Sequence, residues 1–245
     1  MSMQKEGCFD DKTHQYFYRG FPFKSVTQRI SLFEKKADFT QIAEDVSHNP
    51  MSQYFQREAH DILAEWKDKG IAAGTKGKVI HKIAECLAIG ADADARELAK
   101  DKYFEYYESL ARFFSTSKVD VVFPEVIVFG DKAQVAGTID LITYNGDGSV
   151  DIWDWKTSEK ELKIFGDGTF FEKPLNFVPC NKYWSYSLQL QAYRYILQSI
   201  GISVRNATLV HLREKNYEIL VTKTMEQEAA DLLYYDEFRK INKNI

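Results

Sequence analysis

Cysteine is scarce in this chain of 245 residues: there are three, at positions 8, 86 and 180. None forms a Cys-x-x-Cys pair, and three thiols cannot complete a four-thiolate zinc site or an iron–sulfur cluster. Free thiols in a reducing cytoplasm are the expectation. Also missing is any apolar window of membrane-spanning length, and the opening MSMQKEGCFDD has no apolar core of a secretion signal, so no membrane role is expected. No internal repeat or low-complexity tract interrupts the sequence. Nor is there a basic excess, since the formal net charge is −4. Bulk electrostatics therefore do not announce a nucleic-acid binder, although a local basic groove is compatible with an acidic total.

What remains is ordinary globular material, 44% hydrophobic and 28% charged, with 17 Phe, 14 Tyr and 4 Trp. The length suits one well-buried α/β domain and is short for two. The most informative stretch runs from Glu125 to Ser158. It reads as two hairpin turns with apolar strands between them, and Asn145-Gly146-Asp147-Gly148 is a strong signal for the second. Folding about that turn sets Asp140 opposite Asp154, and strand alternation puts Lys156 on the face of Asp154. Two facing carboxylates repel unless a cation lies between them. Such oxygen ligands suit Mg²⁺ or Mn²⁺, and the adjacent ammonium suits phosphate or a nucleophilic water.

Helical spacing organises much of the remainder. Residues 10–24 read as a hairpin turning at Arg19-Gly20, followed by a helix capped by Ser25 or Thr27 over VTQRISLFEKKA. Asp38 precedes a second helix ended at Asn49-Pro50. A third spans 51–69 and is broken around Gly70 and Gly74. The next, 75–89, carries His81 at the rim of an apolar arc with small neighbours, which lets the helix approach a sheet and the imidazole reach a metal. One long helix is expected over 94–117. The loop 159–181 mixes Phe165, Phe170, Phe171 and Phe177 with Lys160, Lys163 and Lys173, residues able to stack bases and hold phosphates. A helix then places Gln189 and Tyr193 on one face. A final hairpin spans 205–213 and 217–223, and a C-terminal helix follows over 225–241.

The ordered set Gly77-x-x-x-His81, Glu125, Gly137-x-x-Asp140, Asp154-x-Lys156 and Gln189-x-x-x-Tyr193 resembles the PD-(D/E)XK nuclease superfamily. It is most similar to the RecB-like, lambda-exonuclease-like branch, including mitochondrial genome-maintenance exonucleases and small phage-encoded members. The proline of the family name is replaced by Ile139. The resemblance implies a restriction-endonuclease-like α/β core, with a central mixed β-sheet flanked by helices and a helical N-terminal portion. As one domain over 1–245, this divides into hairpin and helices (1–73), catalytic core (74–222) and C-terminal helix (223–245).

The activity implied is a Mg²⁺-dependent deoxyribonuclease, an exonuclease acting on DNA ends or single strands, with Mn²⁺ able to substitute and no iron–sulfur cluster. Alternatives are an endonuclease, or an inactive nucleic-acid-binding protein of the same fold. His81, Asp140, Asp154 and the Trp155 carbonyl are the implied metal ligands. His81, Asp140, Asp154 and Lys156 are the catalytic set, and Glu125, Thr157, Gln189 and Tyr193 contact the substrate. DNA is the implied partner, with a recombination or replication protein beside it, in the cytoplasm (the host's, if phage-encoded).

Overall fold

A computed structural model describes residues 6–117, 121–166 and 168–242, with side chains described as far as residue 235. Fifteen elements follow one another among these residues. Strands β1 (Gly7–Asp10), β2 (Gln15–Tyr18) and β3 (Phe21–Ser25) form an antiparallel meander. The Arg19-Gly20 turn is where the sequence places it, with both residues at positive φ. Strand β1 is an addition that the sequence reading missed, because its four residues GCFD show no alternation.

Helix α1 (Val26–Ser31) opens on a capping box, Ser25 and Gln28 each accepting the other's backbone N–H. It stops at Ser31, well short of the expected run to Ala37. Asp38 caps α2 (Phe39–His48) as expected. Helix α3 (Ala59–Ala88) corrects the expectation of a break: it runs unbroken for 30 residues through Gly70, Gly74 and Gly77. Each interior glycine costs about 1 kcal/mol relative to Ala, and packing along the rest of so long a helix outweighs that. The single helix expected over 94–117 is instead two, α4 (Asp92–Ala99) and α5 (Phe104–Thr116), separated by a turn with Asp101 at φ 68°.

The sheet continues with β4 (Val122–Gly130), β5 (Val135–Tyr144) and β6 (Val150–Lys156). After α6 (Lys182–Ser199) come β7 (Val204–Arg213), β8 (Asn216–Val221) and α7 (Glu226–Asn242). The eight strands make one mixed sheet in the order β1-β2-β3-β5-β6-β7-β8, with β4 on the other edge of β5. Strand β5 is shared: β3 pairs in parallel with Val135 and Ala136, β6 pairs antiparallel with Leu141–Tyr144, and β4 lies antiparallel along the opposite side. Between the two partners, no strand among the described residues pairs with residues 137–140 of β5 on that side. The sheet forks there.

One apolar layer, including Val26, Ile139, Ile152, Leu188 and Leu209, packs α1, α6 and α7 on one face. The other, including Ile80, Leu110, Phe113, Leu141 and Trp155, packs α3, α4 and α5 on the opposite face. Ile139 and Ile142 both belong to the first layer and Leu141 to the second. Strict alternation would put Ile139 with Leu141, so the pleat slips by one residue at Asp140.

Candidate active site

The fork in the sheet is where the acidic residues gather. The β4–β5 register runs Pro124↔Leu141 and Val126↔Ile139, which leaves Glu125 across from Asp140 without a ladder pair. Glu125 sits at φ 51°, a left-handed conformation uncommon for a non-glycine residue. On the other side the register Leu141↔Trp153 extends toward Asp140 and Asp154, the pairing expected from the turn, but the ladder stops one step short. Strand β6 keeps pairing with β7 as far as Lys156. The freed N–H of Trp155 is taken by Asp140 Oδ2 at 2.7 Å. A carboxylate thus replaces the missing strand partner, a charge-assisted bond of about 1.5–3 kcal/mol.

Helix α3 crosses this fork. His81 Nδ1 lies 3.3 Å from Asp140 Oδ1, and Nε2 lies 3.0 Å from the Trp155 carbonyl oxygen. One imidazole therefore bridges the two strands that part. Burial opposes a charge on His81, but Asp140 beside it prevails and raises the ring to about 9. For Asp140 itself burial pushes upward, and His81, Lys156 and the Trp155 N–H together outweigh it and hold the carboxyl below its usual range.

Asp154 is 2% exposed, and its Oδ2 stands 2.7 Å from Lys156 Nζ, an ion pair whose angles miss those of a hydrogen bond. Burial drives Asp154 up to about 6 despite that ammonium, and nearby Asp140 adds to the rise. Burial works against the Lys156 charge too, but the two aspartates keep it protonated with a raised pKa. Lys156 Nζ also reaches Gln189 Oε1 at 3.4 Å and lies 4.3 Å from the centre of the Tyr186 ring. Gln189 Nε2 donates to Tyr193 Oη at 3.0 Å. Tyr193 in turn lies against Gly137, where a Cβ would come within 2.4 Å of its ring. The glycine of Gly137-x-x-Asp140 is therefore a steric requirement of the α6 tyrosine.

The predicted residues thus meet in one place, though not in the predicted grouping. Ligand atoms of His81, Glu125 and Asp140 lie within 4.8 Å of one another. These three donors lie close enough together to share one cation. The donors, one imidazole and two carboxylates, suit a divalent metal ion. Glu125, expected to contact substrate, is the third member, while Asp154 is ion-paired with Lys156. Withdrawal from water and the Asp140 charge push Glu125 up to about 7, although the residue keeps an exposed side where solvent screens part of that effect. The Trp155 carbonyl is engaged by His81, and half-buried Thr157 directly follows β6 beside Gly77.

Sequence reasoning missed Tyr186. It sits three residues, about one turn, before Gln189 on the same face of α6, and the i, i+3 helical spacing would have found it. In the loop 159–181 the structure separates two kinds of phenylalanine: Phe165, Phe170 and Phe177 are exposed, whereas Phe171 is 2% exposed and part of the core. Phe171 is thereby removed from the base-stacking candidates.

A family model matches residues 44–244, a span that contains every one of these residues. The chain belongs to the PD-(D/E)XK nuclease superfamily. Members of that superfamily use divalent metals, which agrees with the donor set around Asp140. Among solved structures, a candidate exonuclease from Eubacterium rectale is similar at 19% identity and a TM-score of 0.43, over 65% of this chain and 64% of that one. The crystal structure of SSO0001 is similar at 14% identity and a TM-score of 0.33, over 88% and 84% of the respective chains. The chain thus spans just under two thirds of the first of these proteins. No curated protein matches the sequence.

Proposed function

We propose that this superfamily member is a Mg²⁺-dependent deoxyribonuclease that works as an exonuclease on DNA ends or single strands. The observation that carries the reading is the convergence of His81, Glu125 and Asp140 beside Lys156, from one helix and three strands. When bound, a divalent ion supplies a water of lowered pKa and a clamp on the phosphate oxygens. His81, Glu125 and Asp140 would hold it.

The remaining work falls to this chain's own groups. Lys156, protonated at Nζ, orients the attacking water and offsets negative charge developing on the phosphate. A general-base role would need the opposite shift, a pKa well below its reference of about 10.4. Asp154 fixes that ammonium from behind, and Gln189 and Tyr186 limit its sideways movement. Tyr193 props Gln189, so the Gln-x-x-x-Tyr pair acts on the reaction through Lys156. The exposed Phe165, Phe170 and Phe177 favour unpaired bases, because stacking needs a free ring face.

Digestion of end-labelled linear single-stranded DNA and of its covalently closed circle, with and without Mg²⁺, tests this. Metal-dependent loss of the linear form alone is the expected result. Equal loss of the circle would overturn the exonuclease reading in favour of internal cutting, and no cleavage of either would overturn the nuclease reading.

A further inference from the structure

Beside α3, the α4–α5 turn and the segment leaving β6 lies a cleft of about 580 Å³. Its walls are the Lys69–Lys76 stretch of α3, the α4–α5 turn with Lys102 and Tyr103, the segment leaving β6 with Lys160, and the start of α6 at Lys182. Five lysines converge on it against two glutamates, Glu159 and Glu161, in a chain whose formal net charge is −4. Lys69 is spoken for by Glu65 at 2.7 Å. Among the described residues no ion pair engages Lys76, Lys102, Lys160 or Lys182, whereas Lys82, Lys100, Lys156 and Lys215 are all paired. Lys76 and Lys102 lie instead over the rings of Tyr106 and Tyr103, at 4.7 and 5.3 Å. Unpaired ammonium groups from four separate segments are therefore held over one concavity.

The inner end of the cleft is Thr157 and Ser158, the two residues directly after Lys156. The lining of the cleft therefore reaches the end of the strand that carries Lys156. The volume is that of a cube about 8 Å on a side, within the usual range for small-ligand pockets. A space of that size suits a single strand.

We propose that this cleft is the backbone track for a single polynucleotide strand, with Lys76, Lys102, Lys160 and Lys182 as its phosphate contacts and Tyr103 as a face for a base. The proposal rests on the nuclease reading above and gives it a strand path. It also reconciles an acidic protein with an anionic substrate, because the positive charge is concentrated where the strand lies.

The test is equilibrium binding of a fluorescent single-stranded oligonucleotide to the full chain carrying Asp154→Asn, with no turnover. In that background Lys76→Gln, Lys102→Gln and Lys182→Gln together should raise Kd by roughly tenfold or more at low salt, and the slope of log K against log salt should flatten by about 2, for three lost contacts at about 0.7 each. The control set Lys12→Gln, Lys24→Gln and Lys132→Gln, outside the cleft, should change neither. Equal weakening by both sets would reduce the effect to general charge, and unchanged binding in the cleft set would overturn the proposal. Circular dichroism melts confirm that each variant is folded. Because binding is read without cleavage, failure of the nuclease reading, seen as an inert wild type, is separately visible.

Discussion

Asp140 Oδ2 accepts the backbone N–H of Trp155 at 2.7 Å, at the point where β5 and β6 part company. This one contact joins fold to chemistry. A fork in a sheet leaves backbone donors unpaired, which is costly in a buried position, and a carboxylate satisfies that donor while remaining available to a cation through its other oxygen. The same aspartate is met by His81 from α3 and faces Glu125 on β4. The strand break, the metal-ligating cluster and the ion pair of Lys156 with Asp154 are thus parts of one local arrangement.

Asp140→Asn separates these two roles. Its amide oxygen can still accept from Trp155, so the fold should survive, but the negative charge facing His81 and Glu125 is lost. Mg²⁺- and Mn²⁺-supported DNA cleavage should fall to background, and the increase in Tm on adding Mn²⁺ should vanish. A variant that keeps the Mn²⁺-dependent increase would exclude Asp140 as a ligand.

The metal-free protein should lose stability as pH rises. The folded pKa of His81, about 9, lies above its ordinary 6.5, so stability from its pairing with Asp140 is complete below pH 6.5 and is lost as pH passes through about 9. Buried Asp154, raised from 3.8 to about 6, acts in the same direction: its burial penalty is absent below 3.8 and complete above about 6. Asp140, held low, contributes stability above 3.8 that is lost only on strong acidification. Tm without metal should therefore decline from about pH 4 to 9. Metal ligation needs neutral His81 and ionised carboxylates, so the Mn²⁺-induced gain in Tm should widen over the same range. A metal-free Tm that stays level between pH 6.5 and 9 would rule out the His81–Asp140 pair.

Gly137→Ala tests the propping of Lys156 from α6. The added methyl meets Tyr193 ring carbons and hydroxyl at 2.4–2.8 Å, and relieving such overpacking costs about 1–3 kcal/mol. Displacing Tyr193 loosens Gln189 and then Lys156, so kcat should fall while Mn²⁺ affinity stays near that of the parent. In a Tyr193→Ala background the extra methyl has room, and urea unfolding of the four-member cycle should return a coupling of about 0.5–3 kcal/mol. Additive effects would show that the two side chains do not communicate.

How much of this was legible beforehand follows from the physics of each element. Asp154-x-Lys156 was readable because strand alternation puts i and i+2 on one face, and β6 is a regular strand. Asp140 opposite Asp154 was readable from the turn. The slip of the pleat at Asp140 was not, since Ile139, Leu141 and Ile142 are equally apolar in sequence and only packing assigns them to opposite layers. Glu125 was underweighted for a related reason: its positive φ and its place across from Asp140 arise from tertiary pairing. Gly70 and Gly74 misled in the other direction, because local propensity is a weak prior against the packing of a long helix. Of the basic cleft only Lys160 was in view, since its lysines lie as far apart in sequence as 69 and 182.

The last expectation concerns the loop between β6 and α6, where composition alone treated four phenylalanines alike. Phe171 is 2% exposed, within the layer under α6, while Phe165 is 89% exposed and Phe177 57%. Truncating a buried phenylalanine removes its transfer energy and leaves a cavity, so Phe171→Ala should cost about 3–5 kcal/mol in urea unfolding. Phe165→Ala and Phe177→Ala should each leave stability within about 0.5 kcal/mol of the parent. If those exposed rings stack on bases, each should weaken single-strand binding by about 1–3 kcal/mol, with little change in the salt slope, because stacking releases no counterions. That signature differs from the one expected of the lysine cleft, which acts on the slope itself. Binding isotherms over a salt series for the phenylalanine and lysine variants therefore distinguish a base platform from a phosphate track. Unchanged affinity for both phenylalanine variants would assign their exposure to something other than DNA.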